Sequence, residues 1–259
     1  MRICPAPREV RENVGIITRL GDQFRLVQHN QLIYGSASKA PAERCNTNKL
    51  ACNLSRAKSA ISAYCFNNSW EYFFTGTLDA AKQNREDFNV LTKKFPRFIR
   101  DTARKSECKI NYLIVPELHR DGSSWHCHGV LSGVPPDQLR LYGVDDVPNS
   151  LKHKFKEGKE VFYWRNYADK FGINSLEKIM PGEITGRANY LCGKVRYNSG
   201  VPLGRSSYYK SAGLQKTIVI ARGILESPID FDYSDDFCSI VTTSSESVVE
   251  EWISQLQQF

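Results

Sequence analysis

Three of the five histidines, His119, His126 and His128, cluster with Glu117 between Tyr112 and Leu131, in a segment that also carries Asp121-Gly122. Imidazole nitrogens and a carboxylate oxygen are ligands for a divalent cation, so this spacing reads as a metal site. Further along, Glu183, Arg187, Tyr190, Lys194 and Tyr197 recur at helical spacing. A phenol has an unperturbed pKa near ~10, so it becomes a nucleophile at neutral pH only beside a cation, metal or base. Tyr190 stands four residues before Lys194, which lets the ammonium approach the phenolic oxygen or a phosphate held beside it. A metal site, a phenol and a cation are together a set suited to phosphoryl transfer to tyrosine.

The elements that must position these residues can be read from the pattern. Residues 112 to 118 are rich in Leu, Ile, Val and Tyr, Asp121-Gly122 is a turn signal, and an apolar alternating run resumes at Trp125, which predicts a β-hairpin. Residues two apart on a strand share a face, so Glu117 and His119 point one way, as do His126 and His128. Pairing His119 with His126 and Glu117 with His128 is the register assumed for the hairpin. The downstream residues predict a helix from about Glu183 to Tyr197, whose apolar stripe is Ile184, Ala188, Leu191 and Val195.

Upstream, Leu50, Leu54, Ala57, Ile61 and Tyr64 predict an amphipathic helix, and Trp70 to Asp79 has strand composition. Phe88, Leu91, Phe95 and Phe98 repeat at helical spacing with a kink or break expected at Pro96. A short strand is expected around Ile173 to Ile179, a helix opened by Pro181, and a strand at Thr217 to Ala221. This order predicts an α+β fold, a central antiparallel sheet flanked by helices.

The 259 residues carry a net charge of +7, but Glu226 to Phe259 holds eight acids and no Lys or Arg. The rest of the chain therefore carries +15, a balance that suits a polyanionic partner such as nucleic acid. The expected organisation is an N-terminal extension over 1–48, a basic domain over 49–225 and an acidic C-terminal tail over 226–259. In the tail, Val248, Val249, Trp252, Ile253, Leu256 and Phe259 share one face of a helix beginning near Ser245 or Ser247. That helix is expected to dock on the body or cover a sheet edge. The eight cysteines form no C-x-x-C pair, which argues against a zinc ribbon and for free thiols. No apolar run of membrane-spanning length and no secretory h-region is present, so no membrane partner and a cytoplasmic location are expected.

The chain resembles the HUH endonuclease superfamily, and within it the rolling-circle replication initiators of small phages, plasmids and single-stranded DNA viruses. Glu117-Leu-His119-Arg-Asp-Gly122 followed by His126-Cys-His128 is similar to that family's metal motif. Phe73-Phe-Thr75-Gly-Thr77-Leu-Asp79 resembles its first motif, and Ala188-Asn-Tyr190-Leu-Cys-Gly-Lys194 its nucleophile motif. Tyr208 to Leu214 is similar to a segment that follows the nucleophile helix in some members. The resemblance covers about residues 54 to 222 and implies an HUH/RRM-like, ferredoxin-like sheet.

What it implies about function is a metal-dependent DNA endonuclease and strand transferase in a bacterial host cell. Tyr190 would attack a DNA phosphate at an origin hairpin, giving a 5′-phosphotyrosine link and a free 3′-hydroxyl, with Lys194 assisting and Arg187, Arg196 and Tyr197 contacting the strand. A host helicase and polymerase would be its partners, since no P-loop motif is present. The cation would be Mg²⁺ or Mn²⁺, held by His126, His128 and either Glu117 or His119, of which the hard carboxylate is favoured. Lys194 departs from the family pattern, in which Lys commonly stands three residues after the tyrosine, and Cys127 is smaller than the usual residue between the histidines. Two alternatives share some of these features. One is a conjugative relaxase, in which the nucleophile usually precedes the histidines; the other is a non-catalytic, metal-stabilised single-stranded DNA-binding protein that stacks bases on aromatics such as Trp164 and Tyr208.

Overall fold

The computed structural model describes residues 13–29, 46–153, 158–195, 201–202, 205–234 and 238–257, with 46–52 described as backbone. The chain divides into two compact units. One comprises residues 47–215, and the other joins 1–46 to 216–259. Both are built on antiparallel sheets, and the architecture is α+β.

In chain order the strands are β1 (Val14–Leu20), β2 (Gln23–His29), β3 (Tyr72–Thr77), β4 (Asn111–Leu118), β5 (Trp125–Ser132) and β6 (Leu139–Leu141). They continue with β7 (Phe162–Trp164), β8 (Asn174–Lys178), β9 (Tyr209–Lys210), β10 (Ile218–Leu225), β11 (Tyr233–Ser234), β12 (Cys238–Thr243) and β13 (Leu256–Gln257). The larger unit holds a seven-stranded sheet in the order β6-β7-β8-β3-β5-β4-β9. Its β5, the histidine strand, lies between β3 and β4 near the middle of the sheet.

Alternation along these strands sends side chains to two different cores. Phe74, Ile114, Trp125, Cys127, Leu131 and Leu176 face one of them, which the helix Phe95–Lys105 and the short helix Arg165–Lys170 close. Trp164 and Tyr167 are fully buried there. Trp164 is therefore a core residue and no platform for stacking a base, because both faces of its ring are taken up by packing. On the opposite face, Phe73, Leu113, Val115 and Val130 meet Ile61, Tyr64 and Cys65 of the helix Asn46–Phe66. Ala188 and Leu191 of the helix Ile184–Lys194, and Val195 just beyond it, complete this second core. Within the sheet, β4 and β5 approach closely at Gly129, which is opposite Ile114. A methyl group added at Gly129 would collide with the Leu113 carbonyl oxygen, so this position of the histidine strand has room only for glycine.

Pro96 sits in the first turn of the α-helix Phe95–Lys105. The residues before it, Val90–Lys94, form a π-helical turn that continues directly into the α-helix, so the expected discontinuity is a change of helical pitch.

The smaller unit has a six-stranded sheet in the order β11-β12-β2-β1-β10-β13. This corrects the three-part division drawn from the sequence. The N-terminal hairpin β1–β2 and the acidic C-terminal segment are not separate appendages, because β12 pairs with β2 and β1 with β10. The strand expected to close the basic domain, β10, belongs to this sheet. The helix Glu246–Ser254 follows Ser245 and packs Val249 and Trp252 with Ile17, Phe24, Leu26, Leu225 and Leu256 into one core. The tail helix thus closes its own sheet; Phe259 lies outside the described residues. Among the described residues, Cys65, Cys108, Cys127 and Cys192 are free thiols, and no helix is long and apolar enough to cross a membrane.

Candidate metal centre

The hairpin β4–β5 forms in a register two residues away from the assumed one. Glu117 is opposite His126, Val115 is opposite His128, and Leu118 is opposite Trp125. The turn explains the difference. Asp121 accepts hydrogen bonds from the backbone N–H groups of Ser123 and Ser124 and from the Ser124 hydroxyl, while the His119 N–H donates to the Ser124 carbonyl at 2.8 Å. These bonds fold residues 119–124 into a tight loop, so His119 belongs to the turn and Glu117 is drawn level with His126. Because the shift is an even number of residues, the side chains keep their faces.

Glu117, His126 and His128 therefore converge. Glu117 Oε2 lies 3.3 Å from His126 Nε2 and 3.5 Å from His128 Nε2, and the two imidazole nitrogens are 3.2 Å apart. Ligand atoms about 2.0–2.2 Å from a divalent ion in adjacent coordination positions are themselves roughly 3.0–3.5 Å apart. The spacing fits a cation. These three residues are the potential metal-binding cluster among the described residues, with all their ligand atoms within 4.8 Å of one another.

His119 is not in that cluster. Its ring packs on His126 with centroids 4.2 Å apart, and its Nε2 is buried without a hydrogen-bond partner among the described residues. Of the two candidate third ligands, Glu117 is the one brought to the histidine pair.

The electrostatics favour ligand protonation states. Burial lowers the His126 pKa to about 4, helped by the neighbouring His128 and His119 charges, so the imidazole is neutral at physiological pH. Burial opposes ionisation of Glu117, but hydrogen bonds to His128 and Lys194 and the Lys194 charge outweigh it and hold the carboxyl at about 2. The metal-free protein is expected to lose stability on acidification. Unfolded His126 takes up its proton near its ordinary value of 6.5, whereas the folded protein refuses it until about 4. Between those values the unfolded state binds more protons, so stability falls as pH falls. Thermal unfolding in chelator across that window checks this, and His126→Asn should flatten the drop.

β3 supplies the layer behind the ligands. Thr75 is paired with His128 across the sheet, and its Oγ1 lies 3.1 Å from His128 Nδ1. With Nε2 turned to a cation, Nδ1 carries the proton and donates it to the threonine, which fixes both tautomer and ring orientation. Thr75→Val is expected to weaken Mn²⁺ binding by roughly 10- to 100-fold, as removal of such an outer partner commonly does, and calorimetric titration measures it.

The helix Ile184–Lys194 then lays its polar stripe along the same face of the sheet. Tyr190, 43% exposed, places its hydroxyl 3.4 Å from His128 Nε2, and its ring meets the edge of Phe73 at 5.5 Å. Lys194 Nζ is 2.9 Å from Glu117 Oε2 and 4.8 Å from the Tyr190 ring centre. Burial works against the Lys194 charge, but bonds to Glu117 and Tyr190 raise its pKa, so it stays an ammonium. Nothing in family models, curated proteins or solved structures matches the chain.

Arg187 is on the same stripe, 4.8 Å above the Phe73 ring and 3.6 Å from Glu177. Arg196 and Tyr197 lie outside the described residues; the helix itself ends at Lys194. Two residues of this region were not singled out from the sequence. Glu177 is a buried carboxylate on β8, and its only sequence signal is an acid alternating with Ser175 on a strand otherwise built for the core. Lys159, which lines a cavity beside the cluster, carries no local signal.

Proposed function

We propose that the protein cuts and rejoins single-stranded DNA at a replication origin, with Tyr190 as nucleophile and a divalent cation, Mg²⁺ or Mn²⁺, at Glu117, His126 and His128. The observation that carries the reading is the phenol hydroxyl 3.4 Å from a cation-ready imidazole nitrogen, on a helix that also brings an ammonium to the same carboxylate. When bound, the ion would supply Lewis acidity to a phosphate oxygen. The protein's own residues supply the rest. Tyr190 Oη forms a bond to phosphorus as the bond from phosphorus to the 3′-oxygen breaks. The phenol loses a proton and the leaving oxygen gains one, so the exchange is proton-neutral. Lys194 stands where it can stabilise phenolate character and the added negative charge. The phosphodiester energy is kept in the phosphotyrosine link, and reversal rejoins the strand without a nucleotide cofactor. The +15 charge of residues 1–225 suits the polyanionic substrate.

The test is covalent capture. Incubation with Mn²⁺ and single-stranded DNA carrying candidate origin stem-loops should give a protein–DNA adduct stable to denaturing electrophoresis, with the DNA 5′-phosphate on Tyr190 by mass spectrometry. Absence of any adduct across origin-bearing DNA from the element that encodes the protein would overturn the reading.

A further inference from the structure

A cavity of about 870 Å³ opens on the Tyr190 side of the cluster, with Phe73, Arg187, His153 and Lys159 among its walls. Its size is within the roughly 300–1,000 Å³ that encloses a small ligand, enough for a nucleotide. Arg187 is its best-defined cation. The guanidinium lies over the Phe73 ring, with Nη2 3.6 Å from Glu177 and 3.8 Å from Glu183. Glu177 is 5% exposed, on the central part of the sheet opposite Phe73.

Burying a carboxylate carries a large desolvation cost unless it is paired. Glu183, at the start of the helix, would suffice for a purely solvent-facing arginine, so the second, buried acid calls for an explanation. Two acids and an aromatic plane restrict a side chain that would otherwise have many rotamers. A fixed guanidinium still has more N–H groups than two carboxylates at these distances engage. Arg187 precedes Tyr190 by three residues, so the two are neighbours on one helix face, about 5–6 Å apart at Cβ. An anion at Arg187 would thus lie beside whatever phosphate Tyr190 attacks, on the side away from Lys194.

We propose that this cavity holds the nucleotide flanking the scissile phosphate, with Arg187 as ligand of its phosphate and Glu177 as the positioning residue that holds Arg187 ready. This rests on the single-stranded DNA reading of the site but not on its chemistry, because binding alone reveals it.

The experiment uses full-length protein carrying Tyr190→Phe and a fluorescent ten-nucleotide oligothymidylate, titrated across a range of salt. Adding Arg187→Gln should weaken binding about tenfold and lower the salt slope by about one counterion, the signature of a lost phosphate contact. Adding Glu177→Gln should weaken binding less, about threefold, and leave the salt slope intact, because the arginine charge remains but is no longer held. The Glu177→Gln, Arg187→Gln double variant should bind no worse than Arg187→Gln alone, since in this assignment Glu177 acts on the nucleotide through the arginine. Thermal unfolding of each variant identifies any that fails to fold. If Glu177→Gln does fail, replacing single oligothymidylate linkages by neutral methylphosphonates tests the site without it. One linkage should then cost affinity in the parent and not in Arg187→Gln. Unchanged affinity and slope in Arg187→Gln overturn the subsite, and additive losses in the double variant overturn the positioning role. An Arg187 effect on oligonucleotide binding, when the protein with its tyrosine intact forms no adduct, upholds a nucleotide subsite and rejects the nuclease; an adduct in the protein with its tyrosine intact, with no Arg187 effect on binding, does the reverse.

Discussion

Tyr190→Phe is expected to abolish adduct formation, a loss on the order of 10⁴-fold or more, as follows when an enzyme's nucleophile is removed. The substitution deletes one oxygen. That oxygen makes a long contact, 3.4 Å to His128, and a bond to Lys194, and the ring is 43% exposed, so its removal should cost no more than about 1 kcal/mol of stability. The phenyl ring keeps its edge contact with Phe73 and its place under Lys194. Mn²⁺ affinity should hold, because all three ligand atoms remain, and oligonucleotide binding should hold because the cationic groups remain. Loss of the adduct with metal and DNA binding preserved is therefore specific to the nucleophile role. A residual adduct in Tyr190→Phe would move that role to another tyrosine; Tyr197, on the same predicted stripe, would be the first to test.

Local pattern carried much of the larger unit. The alternation of Trp125 to Leu131 placed both histidines on one face, and that property survived a register error because the error was an even number of residues. The register itself depended on the Asp121 side chain bonding to Ser123 and Ser124, a contact that period-two alternation does not encode. The helix stripe Ala188 and Leu191 predicted which face of Ile184–Lys194 would be buried, and hence that Tyr190 and Lys194 would share the other. What remained hidden was long-range pairing. β1 joins β10 across some two hundred residues of sequence, so the division into an extension, a body and a tail could not anticipate a unit assembled from both ends of the chain. A strand signal was nonetheless present in Val14-Gly-Ile-Ile-Thr-Arg-Leu20, followed by Gly21-Asp22 and a second alternating run, which is hairpin chemistry. Glu177 was hidden for a different reason: an acid in a strand reads as solvent-facing until the arginine that pairs with it is known.

The ligand set makes the other large prediction. His128→Ala should lower Mn²⁺ affinity by more than about 100-fold, exceeding the loss expected from Thr75→Val, because it removes a ligand and not the partner that orients one. Glu117→Gln should do nearly as much. It replaces an anionic oxygen that faces both imidazoles with a neutral one, and hard divalent ions depend on anionic oxygen for affinity. Its second consequence is electrostatic. Lys194 is held by Glu117 at 2.9 Å, so the Gln variant leaves the ammonium without its closest anion beside an ion-binding site, and the repulsion adds to the lost ligand. His119→Ala separates the two assignments of the third ligand. Among the described residues its ring stacks on His126 and lies outside the ligand cluster, so its removal should change Mn²⁺ affinity by less than about threefold, chiefly through looser packing of that neighbour. Calorimetric titration of the three variants ranks them without reference to DNA cleavage. A loss in His119→Ala equal to that in His128→Ala would transfer the ligand role from the strand residue Glu117 to the turn. Such a transfer would need the turn held by Asp121 to open and carry His119 toward the histidine pair.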